Sequence, residues 1–169
     1  MGQDEELTSP RTAETASLML TSWFTPEWSP ATAPRLKWHE SIKKVDEAVA
    51  SGDPGSMLRA WQAASVSALV DRGWASMIAV GDAAIRIGRA TGLNIAFGAK
   101  ARQAYHVALF RSNRLGDVDG VMQTAEGFAE LRDRETVEQC LSVAARLLEA
   151  NPNAALKEKL EGVRARLTA

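Results

Sequence analysis

His39 and Glu40 begin the pattern of a zinc-protease helix, in which a second histidine four residues after the first completes the ligand pair and the Glu acts as general base. Lys43 stands at that fourth position, so the second ligand is missing. His106 is the one other histidine and Cys140 the one cysteine, which excludes a His-rich metal centre and an intrachain disulfide. Glu126, Glu130 and Asp133 recur at i, i+4 and i+7, which places three carboxylates on one helical face where acid–base chemistry could use them. Arg132 and Arg134 stand beside them, so a solvated, charge-balanced face is the plainer reading. Cys140 adjoins an apolar stripe with no histidine near it in sequence, as befits a small buried hydrophobe rather than a nucleophile. Glycine-rich phosphate loops and the turn that carries a nucleophilic serine are absent. The chain is therefore read as a non-enzyme with no metal and no cofactor.

Charge distribution is more informative. The chain has 169 residues and a net charge of −1, but the 34 residues between Asp82 and Asp117 hold Arg86, Arg89, Lys100, Arg102, Arg111 and Arg114 with no acid, a local +6. Helical spacing brings Lys100, Arg111 and Arg114 towards one side, with Val107 and Phe110 near it, while His106 neighbours Arg102 on the outer side. Cations flanking apolar residues suit a groove for an acidic, amphipathic segment of a protein partner. Stacked helices that bury the apolar residues and leave the cations solvated are the alternative. Nucleic acid is set aside, because no aromatic residues interleave with the cations as stacking platforms and the whole chain is not basic.

Residues 1–34 have a different composition. They contain Pro10, Pro26, Pro30 and Pro34 and a net charge of −4, whereas residues 35–169 carry +3. This N-terminal arm includes Trp23, Phe24 and Trp28, too apolar a cluster for an ordinary tail. It reads as a strap over the first hairpin or as a docking element for a partner, and it could lie over the basic stretch until a partner displaces it. The opening Met-Gly-Gln-Asp-Glu-Glu is acidic where a secretory signal is basic, and no apolar run reaches the length of a membrane span. Acids around the tryptophans disfavour anionic lipid. A cytoplasmic, soluble protein without membrane contact is expected.

From residue 35 the apolar period is helical throughout. Trp38, Ile42, Val45 and Val49 mark a first helix, ended by Ser51-Gly52-Asp53-Pro54, in which Gly suits the C-terminal turn, Asp the cap and Pro the next first turn. Met57, Trp61, Ala64 and Ala68 mark a second, closed by Gly73. Trp74, Met77, Ile78, Gly81, Ile85 and Gly88 mark a third, and Gly92 ends it. A fourth spans about Ile95 to Arg114, a fifth carries Val118 to Phe128, a sixth is entered through Thr136, and Asn151-Pro152 leads into a seventh with Leu156, Leu160, Val163 and Leu167. Short links predict antiparallel hairpins stacked in order.

Val45, Ala48, Gly52, Met57, Trp61 and Ala64 share their spacing with Leu109, Ser112, Gly116, Val121, Ala125 and Phe128, at an offset of 64 residues. Small residues on one helix, Gly at the turn and apolar residues packing back resemble the tetratricopeptide pattern. The resemblance implies an all-α stack of antiparallel hairpins, an α-solenoid or helical bundle of about seven helices, acting as an adaptor or scaffold that holds a protein partner. Arg86, Arg89, Lys100, Arg102, His106, Phe110, Arg111 and Arg114 are the expected contact residues, with Trp23, Phe24 and Trp28 as a docking arm. A homo-oligomer, a subunit of a larger complex, and an all-helical small-molecule binder or enzyme with a pocket thinned by Gly81, Gly88 and Gly98 are the alternatives.

Overall fold

A computed structural model describes residues 37–168, and among these every element is an α-helix. The helices are α1 (Trp38–Ser51), α2 (Pro54–Asp71), α3 (Ala75–Thr91), α4 (Asn94–Leu115), α5 (Val118–Glu130), α6 (Arg134–Ala150) and α7 (Ala154–Thr168). The expected all-α architecture of about seven helices is present.

Local chemistry explains the links. Gly52 at φ +74°, Gly92 at +75° and Gly116 at +68° take the left-handed conformation that ends α1, α3 and α4, where a side chain would be strained. Asp53 accepts from the amides of Gly55 at 3.2 Å and Ser56 at 2.8 Å, and Asp117 from that of Gly120 at 2.9 Å; each carboxylate satisfies donors that the first turn leaves open.

Three termini differ from expectation. Arg72 at φ +60°, not Gly73, closes α2. Asp133, not Thr136, caps α6, because its carboxylate accepts from both the amide and the hydroxyl of Thr136. Asn153, not Asn151, caps α7 by accepting from the Leu156 amide at 3.1 Å.

Links of two or three residues fold each helix back on its predecessor. Besides these sequential contacts, α1 packs on α3, α3 on α5 and α5 on α7, whereas α4 touches α6 only slightly and α2 stands apart from α4. The odd-numbered helices therefore form one continuous layer and the even-numbered helices cover its other side. Helices α1, α3, α5 and α7 start 37, 43 and 36 residues apart, and α2, α4 and α6 start 40 apart. The 64-residue match thus pairs α1 with α4 and α2 with α5, helices of different layers, while the spatial repeat is about 40 residues.

The core joins both layers. Val45, Met57, Ile87, Tyr105, Val121, Met122 and Phe128 are buried, and Ala64, Ala68, Ala83, Ala101, Ala108, Ala125 and Ala144 have no exposed surface. Alanines at contact positions let helices approach closely, and each buried large side chain contributes about 1.5–3 kcal/mol of transfer free energy.

Candidate partner-binding site

The two cations on α3 are taken up in the first layer. Arg86 Nη2 lies 2.9 Å from Asp46 on α1, and Arg89 Nη2 lies 3.4 Å from Glu130 on α5. The series continues to α7, with Arg166 at 2.6 Å from Glu126 and Lys159 paired with Asp119. Every one of these pairs joins neighbouring helices of the same layer. Exposed pairs contribute at most about 1 kcal/mol each, but opposite charges at matched heights disfavour slipped registers.

The cations on α4 face the second layer and have other partners. The Lys100 ammonium sits 4.8 Å from the centre of the Trp61 ring on α2, a cation–π contact. Arg111 donates to the carbonyls of Ala68 at 3.0 Å, Gly73 at 2.6 Å and Leu69 at 3.2 Å. The last turn of a helix has carbonyls without internal donors, and the guanidinium fork supplies three at once where α2 and α4 would otherwise gape. Arg102 Nε donates to Asp133 at 3.0 Å, tying α4 to the cap of α6. Arg114 is exposed and forms no ion pair among the described residues.

The predicted contact set therefore divides. Arg86 and Arg89 lie in one layer; Lys100, Arg102 and Arg111 are engaged in the other; His106, Phe110 and Arg114 face solvent. Arg102, His106 and Phe110 come together with Ala99, Gln103 and Val107 in an open groove of about 480 Å³ along α4. Its apolar floor comes from Ala99, Val107 and Phe110, set among Arg102, Gln103 and His106. Phe97, Ala101, Ala104, Tyr105 and Ala108 face the core, while Phe110, 64% exposed, faces out. The exposed His106 lies with its ring centre 4.8 Å from that of Phe128.

The remaining candidates for chemistry are occupied. Glu126, Glu130 and Asp133 hold Arg166, Arg89 and Arg102 respectively. Cys140 is fully buried, and burial pushes its thiol up to about 12, with the nearby Asp133 charge adding to it. Among the described residues no three His, Cys, Asp or Glu side chains converge as a metal site. His39 stacks on Trp38. Of the three glycines expected to thin a pocket, Gly81 is filled by the Tyr105 ring and Gly88 faces Phe97 and Asn94. Gly88 and Gly98 do border a cleft of about 220 Å³, together with Arg89, Glu130, Leu131 and Arg132.

One constellation escaped the sequence reading. The Tyr105 hydroxyl donates to Asp82 Oδ1 at 2.7 Å, and its ring lies between Gly81 of α3 and Gly127 of α5. Burial raises the Asp82 carboxyl above its ordinary range, opposed by this hydrogen bond and reinforced by the Glu130 charge. Two glycines on helices flanking a tyrosine are the signal that could have pointed there.

Trp23, Phe24 and Trp28 lie outside the described residues, as does the proposed arm of residues 1–34. No family model, no curated protein and no solved structure matches this chain.

Proposed function

We propose that the chain is a non-enzymatic, tetratricopeptide-like adaptor that holds one protein partner on the solvent face of α4. The observation that carries this reading is Phe110, left 64% exposed on the outer face of α4 in an open groove with Ala99 and Val107, rimmed by Arg102 and His106. Isolated apolar side chains on a surface are ordinary, but a groove that continues along a helix suits an amphipathic segment. Helix α4 carries Lys100, Arg102, Arg111 and Arg114 and no acid, so its field favours an acidic segment and disfavours a basic one. No helix among the described residues is long and apolar enough to cross a membrane, and a cytoplasmic setting is part of the proposal.

The test is a pull-down from native lysate with the full chain and its Phe110→Asp variant. A protein retained by the first and lost by the second, with both variants melting at the same temperature, supports the adaptor. Identical bound proteins for both overturn it. A small ligand that co-purifies and is released by Gly98→Leu would support the second reading, a binder using the 220 Å³ cleft beside Gly98.

A further inference from the structure

Four large apolar side chains stand in solvent at one end of the second layer. Leu69 and Val70, at the end of α2, are 54% and 61% exposed; Phe110 and Leu115, towards the end of α4, are 64% and 63% exposed. Arg111 spans the space between the two helix ends, since its guanidinium reaches from α4 to the Leu69 carbonyl at 3.2 Å. Leu115 follows Arg111 by four residues, so the two share a side of α4. Phe110, in the groove lined by α4 alone, precedes Arg111 and so stands on the helix end that Arg111 ties to the apolar terminus of α2.

Charge at this end has a definite sign. Arg114 and Arg72 are exposed and Arg111 adjoins them; the acids at this end are Asp71, whose charge is felt by Arg111, and Asp117, which accepts from Trp74 Nε1 at 2.8 Å, so cations remain in the majority. Helix C-termini ordinarily repel anions through their open carbonyls. Here the α2 carbonyls receive Arg111, and those of Ser112 and Asn113 receive the amides of Asp117 and Gly116. Two carbonyls at each negative end are thus covered, which weakens that repulsion and leaves the cations at the rim to act.

Resting on the adaptor reading, we infer that the docking surface bridges α4 and the end of α2, and that its occupant is an amphipathic helix of a partner protein with acidic residues set towards Arg114 and Arg72. Apolar anchors on two neighbouring helix ends fit the apolar face of a helix laid across them. Arg114 is then the specificity-determining cation of the six between Asp82 and Asp117, because the other five have partners within the chain.

The experiment uses the full chain carrying the photoreactive residue benzoylphenylalanine as Val70→benzoylphenylalanine, Phe110→benzoylphenylalanine or, on α6, Gln139→benzoylphenylalanine, irradiated in native cells. The crosslinked segment is then made as a peptide and titrated against the purified full chain and its Arg114→Glu and Arg89→Glu variants. The expected result is one segment captured at positions 70 and 110 but not at 139, with apolar residues three and four apart and acids between them. Its peptide should bind about tenfold more weakly to Arg114→Glu and unchanged to Arg89→Glu. Capture at 110 without 70, a segment lacking acids, or unaltered binding to Arg114→Glu overturns this inference and leaves the adaptor standing. No capture at 110, or capture of this chain's own peptides alone, overturns both.

Discussion

The Tyr105 hydroxyl reaches Asp82 Oδ1 at 2.7 Å from the opposite layer of helices. A side chain of α4 thus passes between α3 and α5 and ends in a polar contact on the far side. The aromatic body fills the space, edge-on to Phe128 at 5.6 Å between ring centres, and the hydroxyl is satisfied on arrival. Tyr105→Phe keeps the ring and deletes the bond, and it should cost about 1–2 kcal/mol in urea unfolding.

The same pair has a pH signature. Asp82 holds its proton more tightly when folded, because burial raises its pKa from the ordinary 3.8. Its contribution is fully present below that value and is lost as pH rises through the folded pKa, since the unfolded chain ionises first. Asp82→Asn removes this titration. Melting temperatures of the two proteins measured from pH 3 to pH 7 should therefore shift in favour of the variant as pH rises; parallel curves would contradict the assignment.

Arg111 is expected to matter for folding before binding. Its three carbonyl acceptors belong to the end of α2 and the following turn, and a charged donor contributes about 1.5–3 kcal/mol where its acceptors are shielded. Arg111→Ala should lower stability by about 2–3 kcal/mol, with increased amide exchange at the end of α2. Arg114→Ala, three residues on, should leave stability within about 0.5 kcal/mol. Equal melting of the two variants would sink the distinction.

The two arginines also show what a linear reading captures. Helix number and most turns were legible, because 3.6-residue apolar periods and the Gly52-Asp53-Pro54 and Gly116-Asp117 steps are local signals. The layer arrangement was not, since the 64-residue match at Gly52 and Gly116 aligns turns of opposite sense in the stack. The six cations looked like one patch because their partners are remote in sequence: Asp133 is 31 residues from Arg102, and Ala68 is 43 from Arg111. Phe110 is exposed although its apolar type fits burial in a stack equally well, and Tyr105–Asp82 requires two glycines to be recognised as facing one ring.

Those glycines separate packing from propensity. A Cβ on Gly127 would lie 2.7 Å from Tyr105 Cζ, while one on Gly162 meets nothing within 4 Å. Alanine gains about 1 kcal/mol over glycine inside a helix, but overpacking costs about 1–3 kcal/mol. Gly162→Ala should raise the melting temperature and Gly127→Ala should lower it. The same sign for both would mean that the ring can move aside.

Asp133 titrates in the opposite sense to Asp82. Burial pushes its carboxyl up, but hydrogen bonds from Arg102 and Thr136 together draw it below its ordinary 3.8. The stability it contributes is present above that value and is lost as pH falls through the folded pKa. Asp133→Asn weakens both the α6 cap and the Arg102 contact, for an expected cost of about 1–2 kcal/mol at pH 7. Denaturant midpoints of variant and parent should converge between pH 5 and pH 2, and a constant gap would assign the cost to geometry alone.

Cys140 offers a readout of the packed interior. It has no exposed surface, and burial raises its thiol to about 12, so thiolate is scarce at neutral pH and reagent cannot reach it in the closed fold. Labelling by a disulfide reagent at pH 8 should be negligible in buffer. It should rise in step with the unfolding transition in urea, because α6 must leave α5 before the sulfur is exposed. Rapid labelling without denaturant would show instead that α6 and α7 open independently of the rest of the stack. In that event Gly127→Ala, which acts through α5, should change the melting temperature while leaving the labelling rate as it was.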